Sequence, residues 1–413
     1  MQKPPVWIIP VIVVSQFAGT SLWFAGNAIL PDLQKQWGLI GESLGAITSA
    51  VQFGFIVGTL VFAFFAIADR FSPRIVFLVC SLLGALFNLL VYLVVSDFET
   101  LLVFRFLIGI CLAGIYPVGM KIASGWYSEG LGNALGFLVG ALVLGTSFPH
   151  LLKGLGQAVS WQNVTLTVSG ISALGGILMF AFVPDGPHLV KGTKFSLRAF
   201  PVIFKSEGFR DAAFGYFGHM WELYTFYAFI PVVLTVYVVS HPAESINVPF
   251  WSFCIIGAGS IGCIGGGLLS KEVGSAKVAF TQLLASAICC LLSPFVFRFS
   301  HELFLIFFMF WGIVVVGDSP QYSALVGTKA PKEYVGSALT IMNCIGFAIT
   351  IVSIQGTIFL SSYVKPEFLL SFLFIGPLLG LRWLWPLVRS SGVNYGKNQS
   401  QAEVQPVSGP VES

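Results

Sequence analysis

The residues best placed to do chemistry lie in one stretch, Tyr216-Phe217-Gly218-His219-Met220-Trp221-Glu222-Leu223-Tyr224. The stretch falls inside an apolar run, residues 212–238, long enough to cross a bilayer as a helix. Glu222 is about eleven residues from the charged end at Asp211, on the order of 17 Å at ~1.5 Å per residue, close to the middle of a ~30 Å hydrocarbon core. A carboxylate at that depth costs at least ~2.5 kcal/mol on insertion scales, so it is expected to face a cavity or a partner rather than lipid. His219 is three residues earlier and shares its face, with Tyr216 one further turn back. Two readings follow. The pair is either a buried Glu–His hydrogen bond that locks helix packing, or a substrate and proton site. In the second, Glu222 takes and releases a proton, and His219 shares that proton or orients the carboxylate.

The elements that must position these groups are membrane helices. Of the 413 residues 56% are hydrophobic and 9% charged, against roughly 25% charged in soluble domains. Hydropathy gives twelve spans: 7–31, 43–68, 75–96, 100–123, 134–152, 164–183, 212–238, 250–270, 277–296, 303–325, 336–360 and 368–388. The fold expected is all-α and integral to the membrane. The start, Lys3 and then an apolar run from Trp7 to Leu30, is too long for a signal peptide, lacks a small-residue cleavage site, and reads as the first span. A net charge of +3 points to no nucleic-acid partner. The seven cysteines lie in apolar runs without ligand-like spacing, so no metal site and no disulfide framework are expected. No cofactor is expected either, since nucleotide loops are absent.

The spans fall into two pseudo-symmetric sets of six. Residues 1–183 form the first half, 184–210 a cytoplasmic linker with Lys191, Lys194, Arg198, Lys205 and Arg210, 211–389 the second half, and 390–413 a polar, disordered cytoplasmic tail. Gly109, Gly114 and Pro117 in span 4 recur 203 residues later as Gly312, Gly317 and Pro320 in span 10. Gly132-Asn133-Ala134-Leu135 recurs as Gly336-Ser337-Ala338-Leu339, and Pro31 and Pro231 are read as ending spans 1 and 7. With both termini in the cytoplasm, only Lys35, Lys153, Arg298 and Lys365 fall outside and Arg105 falls within a span, out of 21 basic residues. Repeated halves with a site between them near the midplane are a secondary-transporter plan.

At the junction of spans 2 and 3, Asp69-Arg70-Phe71-Ser72-Pro73-Arg74 resembles the G-x-x-x-D-R-x-G-R-[RK] signature of the major facilitator superfamily. Asp69, Arg70 and Arg74 match; Phe65, Ser72 and Pro73 depart from it. Gly267-Leu268-Leu269-Ser270-Lys271-Glu272-Val273-Gly274 is similar to its second-half copy, and Arg105-Phe106-Leu107-Ile108-Gly109 to the family's R-x-x-x-G element. The resemblance covers residues 7 to 388. Ser21 to Asn27, Ala113 to Lys121, the span 7 motif and Gly336 to Thr340 are further similar to a poorly characterised bacterial branch grouped with nitrate/nitrite porters. Nitrate porters hold their anion with an arginine in each of spans 2 and 8. Span 2 here offers Gln52 and span 8 only Ser252 and Ser260 besides glycines, so nitrate is not the implied substrate.

The resemblance implies that spans 1, 4, 7 and 10 line a cavity. Candidate substrate-binding residues are Gln16, Trp23 and Asn27 in span 1, Tyr116 in span 4, Trp221, Tyr224 and Tyr227 in span 7, Gln321 in span 10 and Asn343 in span 11. Glu222 and His219 are the candidates for proton coupling. Asp69, Arg70, Arg74, Arg105, Lys121 and Asp318 are candidates for gating. Arg105 either snorkels to the headgroups or, as the resemblance favours, points inward. Asp318, beside Pro320, either accepts from Lys121 or another basic group as an inner gate or caps the turn broken by the proline. Glycines in spans 2, 5 and 8 have the small-residue spacing of close helix contacts.

The function this implies is secondary active transport of a small polar metabolite or anion by alternating access, coupled to a proton or another ion. The alternative is a proton-driven exporter of hydrophobic compounds, although span 5 lacks the G-P-x-x-G-G element of drug antiporters. A non-transporting receptor or membrane enzyme would leave the buried charges unexplained, and no catalytic residues are nominated. The partners expected are a small-molecule substrate, a coupling ion and the lipid bilayer, for a monomer in a bacterial inner membrane.

Overall fold

The computed structural model describes residues 4–38, 42–127, 131–156, 159–189, 195–196 and 198–402, with backbone alone for 131 and 391–402. Among these there are no strands, and twelve helices are long and apolar enough to cross a membrane. They are α1 (Ile8–Trp37), α2 (Ser43–Phe64), α3 (Pro73–Leu93), α4 (Phe98–Trp126), α5 (Gly132–Gly154) and α6 (Trp161–Phe182), then α7 (Glu207–Ser240), α8 (Val248–Val273), α9 (Ser275–Val296), α10 (His301–Lys329), α11 (Lys332–Ser361) and α12 (Pro366–Ser390). The chain is an all-α integral membrane protein. Twelve crossings bring it back to the face where it began, so the bundle has a termini face and an opposite face.

Three of the helices are broken. α1 stops at Thr20 and resumes at Ala25. α4 resumes at Tyr116 and ends at Trp126; α10 resumes at Ser319 and ends at Lys329, the same 203-residue offset that the sequence carries. The cause is local. Gly114 and Gly317 are pressed against Cys80 of α3 and Gln282 of α9, with no room for a side chain. Pro117 and Pro320 then occupy the first turn of the restarted helix, where a missing N–H costs nothing.

Glycines also set the closest helix approaches. A Cβ on Gly54 would run into the carbonyl of Phe106, and one on Gly109 into that of Val51, so α2 and α4 touch backbone to backbone. The same contact recurs between α8 and α10, through Gly262 against Ile313 and Gly312 against Ile255. Gly109→Ala is therefore expected to lower thermal stability in detergent, at about 1–3 kcal/mol for overpacking. Gly170, with open space around its Cα, should accept alanine without change, and paired melting curves check both.

The first six helices meet the last six along two seams. Gly136 and Gly140 of α5 lie against Cys263 and Ser260 of α8. Gln355 of α11 donates to Ser49 of α2 at 2.9 Å.

Several expectations need correction. Pro31 and Pro231 do not end their helices but lie inside them, with α1 continuing to Trp37 and α7 to Ser240. Neighbouring helices let a membrane helix tolerate the lost hydrogen bond. The linker read as 184–210 holds a short helix, Ala199–Ile203, and α7 already begins at Glu207, where a polar turn extends the helix beyond its apolar core. Lys191 and Lys194 lie outside the described residues. The tail read as disordered from 390 continues α12 as helix to Ala402, and 403–413 lie outside the described residues. The α2–α3 junction turns at Ala66, in the left-handed region at φ 50°, one residue after the position where the signature has its leading glycine. An alanine there costs roughly 1–2 kcal/mol.

Candidate functional site

The face of α7 turned to the middle of the molecule is the stripe Tyr216, Met220, Leu223, Tyr224 and Tyr227. With Tyr116 of α4, Val139 and Leu142 of α5, Val316 and Ser319 of α10 and Phe347 of α11, it lines a small cavity between the first and last six helices. Residues at i, i+4, i+7 and i+11 share one face of an α-helix, which is why this stripe forms. On the same geometry Glu222 points about 140° away from the stripe and His219 about 80°.

That rotation overturns two expectations. Glu222 does not line the cavity, and His219 does not pair with it. The Glu222 Oε2 accepts from Ser286 Oγ of α9 at 2.9 Å and lies 3.6 Å from the Cys290 thiol. Ser286 in turn accepts from Trp311 Nε1 of α10 at 2.9 Å, so the carboxylate is anchored inside the last six helices. Its other oxygen, Oε1, has no partner. His219 instead brings its Nδ1 to 2.9 Å from Asp318 Oδ1, both side chains almost fully buried. The ring also packs on Tyr322, 5.4 Å between centroids, and on Tyr216 at 6.0 Å.

Asp318 thus meets a basic group other than Lys121 and does not cap the restarted helix. It occupies the N-cap position of that helix, yet its side chain accepts no cap hydrogen bond because it is turned to His219. Two residues before it and one after it, Val316 and Ser319 line the cavity. The break in α10 therefore sets a buried carboxylate at the cavity's edge.

The corresponding place in the first six helices is neutral. Gln16, 203 residues before His219, packs onto Gly119, which stands 203 residues before Tyr322. Both amide atoms of Gln16 are buried without a partner.

Arg105 is buried at 1% exposure, so the snorkelling reading fails. Its Nη1 donates to Leu22 O at 3.0 Å and its Nη2 to Trp23 O, the carbonyls laid bare where α1 breaks. Gly26 makes room for the guanidinium, whose Nε would lie 2.8 Å from a Cβ there. The break it holds presents Trp23 and Phe24. Trp23 stacks on Tyr224 at 5.7 Å and on Phe347 at 5.6 Å, and Phe24 stacks on Tyr224 at 6.3 Å. Rings from α1, α7 and α11 thereby close the middle of the molecule.

Toward the face opposite the termini the molecule opens. A vestibule of about 1260 Å³ runs between α1, α2, α5, α7 and α11, with Asn27, His150 and Tyr227 in its wall. Tyr227 lines both spaces.

The remaining candidates are dispersed. Trp221 turns to α12, where Gly376 receives it, and does not line the cavity. Asn343 accepts from Tyr216 Oη at 3.2 Å. Gln321 is buried but lines neither space. Lys121 pairs with Asp69 and donates to Ala68 O at 2.8 Å, so this ion pair ties α4 to the α2–α3 junction within the first six helices and not across to the last six. Arg74 lies over the Phe180 ring of α6 at 5.3 Å, Ser72 donates to Asp185 at 2.8 Å, and Arg70 is exposed. Lys121→Ala and Asp69→Asn are each expected to slow turnover with affinity unchanged, and the double variant to be no slower than either single one. Initial rates across a substrate series check this cycle.

His150, Phe24, Phe347 and Ser286 were not among the candidates. A histidine beside Pro149 within an apolar span was a visible signal. The phenylalanines and the serine carried none, because such residues are common in any membrane helix.

The Major Facilitator Superfamily family model matches residues 12–354, most of the chain. The chain belongs to the major facilitator superfamily, a family of membrane transporters. Among curated proteins it is similar to the 4-hydroxybenzoate transporter PcaK of Pseudomonas aeruginosa, 28% identical over 42% of this chain and 39% of that one. It is also similar to PcaK of Acinetobacter baylyi, 27% identical over 40% of this chain and 36% of that protein. An uncharacterized MFS-type transporter of Bacillus subtilis, YybF, is 29% identical over 22% of this chain and 23% of its own length. The matches span well under half the length of these relatives.

Proposed function

We propose that the chain is a proton-coupled secondary active transporter that moves a small organic anion by alternating access of its two six-helix halves. The observation that carries this reading is the His219–Asp318 pair at the break of α10, beside a cavity between the halves, with a second acid, Glu222, one turn along α7. Three ionisable side chains buried in a membrane helix bundle are costly and have no packing role that neutral residues could not fill. Asp318 is the group that binds and releases the proton; His219 positions it, and Glu222 tunes the pair from behind.

The basic-residue asymmetry supports termini in the cytoplasm, so the vestibule opens outward and the ring stack closes the path inward. A monomer in a bacterial inner membrane fits the bacterial sources of the relatives. Two of those relatives are named for an aromatic acid, which supports an organic anion over nitrate, and with it a substrate unlike that of the nitrate/nitrite porter branch. The test is proton movement in liposomes carrying the purified protein. Addition of 4-hydroxybenzoate outside should make the lumen more acidic; an unchanged lumen for this and related organic acids would sink the reading.

A further inference from the structure

The wall of the vestibule holds three buried polar atoms without partners: Asn27 Oδ1, Tyr227 Oη and the Nε2 of His150. They come from α1, α7 and α5. What they can recognise is fixed by a short chain of hydrogen bonds. Thr48 Oγ1 donates its single proton to Leu44 O at 2.8 Å. It can then only accept from Asn27, whose Nδ2 lies 2.7 Å away. The amide orientation is thereby settled, and Asn27 Oδ1 is left as a buried acceptor that needs a donor. Tyr227 Oη, in the wall of the same vestibule, can donate a hydrogen bond or accept one, as can a neutral imidazole.

We propose that Asn27, Tyr227 and His150 seat the hydroxyl group of a hydroxylated aromatic substrate at the floor of this vestibule. A hydroxyl both donates and accepts, so it donates to Asn27 Oδ1 and accepts a hydrogen bond from Tyr227 or His150. A bare carboxylate or nitrate only accepts, and it would leave Asn27 Oδ1 unpaired against a negative group. The ring of the substrate lies toward the aromatic side chains around Tyr227, which include Phe24 and Tyr224 at 6.2 and 6.0 Å. Its carboxylate remains toward the wide mouth of the vestibule, where water screens it. The specificity is for the end of the molecule remote from the charge.

This inference rests on the transport reading for the word substrate, but its test is binding at equilibrium. Purified full-length protein in detergent is titrated with 4-hydroxybenzoate, benzoate and nitrate, followed by calorimetry. Wild type is expected to bind 4-hydroxybenzoate about tenfold more tightly than benzoate and to show no competition by nitrate. Tyr227→Phe removes one oxygen and keeps the ring. It should weaken 4-hydroxybenzoate about tenfold and leave benzoate unchanged, with a melting temperature like that of wild type. Asn27→Leu should abolish the preference for the hydroxyl. Equal binding of the two acids by wild type, equal losses in Tyr227→Phe, or competition by nitrate would each overturn the seat. Discrimination with no proton movement in liposomes overturns the transport reading and leaves the seat standing; proton movement without discrimination does the reverse.

Discussion

Asp318→Asn is expected to give a carrier that still binds and exchanges its substrate but no longer concentrates it. The asparagine keeps the shape of the side chain beside His219, and it loses the ability to change charge. In liposomes held at a pH difference of one unit, one proton per substrate sustains about tenfold accumulation, since 1.4 kcal/mol is a factor of ten. Wild type should approach that ratio and Asp318→Asn should stay near unity. Counterflow exchange of labelled for unlabelled substrate should persist in the variant, because exchange does not require the proton to leave. His219→Ala should accumulate less than wild type and shift the pH optimum, as befits a group that positions the acid. Glu222→Gln separates the two carboxylates. Full accumulation by Asp318→Asn together with its loss in Glu222→Gln would move the coupling role to Glu222.

The second large effect is expected at Arg105. Its guanidinium bonds two carbonyls at the break of α1, and no lysine can reproduce that fork. Arg105→Ala leaves both carbonyls in the bundle core, each at about 1–3 kcal/mol, and opens a cavity beside Gly26. The offset is the relief of a buried cation, which is also worth several kcal/mol, so the loss of stability is expected to be smaller than the loss of function. Trp23 and Phe24 are then no longer held against Tyr224, and transport should fall by at least about tenfold, taking 1.4 kcal/mol as the cost of misplacing the rings. Arg105→Lys should fail to restore it. A melting curve with a transport assay on both variants tests this; an active Arg105→Lys carrier would mean that charge alone suffices.

Much of the fold was legible because it rests on composition and period. The apolar runs located all twelve crossings, and the recurrence of Gly114 and Pro117 as Gly317 and Pro320 foretold where α4 and α10 restart. The depth of Glu222 was legible too, since depth follows from counting residues along a helix. Its direction was not. A helix in the core of a bundle is apolar or weakly polar all round, as α7 is, so its sequence does not announce which face meets the cavity. The partner of His219 is 99 residues away, and Ser286, which holds Glu222, is one of many hydroxyls in membrane helices. Pairing on the same helix was the local guess, and tertiary packing replaced it. For Arg105 and Lys121, the sequence could supply the charge but not the carbonyls and carboxylate that receive it.

The neutral counterpart of the His219–Asp318 pair has an electrical consequence. With Gln16 and Ile115 at the positions 203 residues before His219 and Asp318, a proton bound at the α10 break would change the charge of one half of the molecule only. The transmembrane voltage then acts on that half. An elementary charge carried through 100 mV is worth about 2.3 kcal/mol, and a site near the middle of the membrane feels roughly half of it on each side. An energised cell would thus draw the proton to the site. One proton moving with one anion adds no net charge to the loaded half, so uptake should rise with voltage through loading while no net current accompanies the cycle.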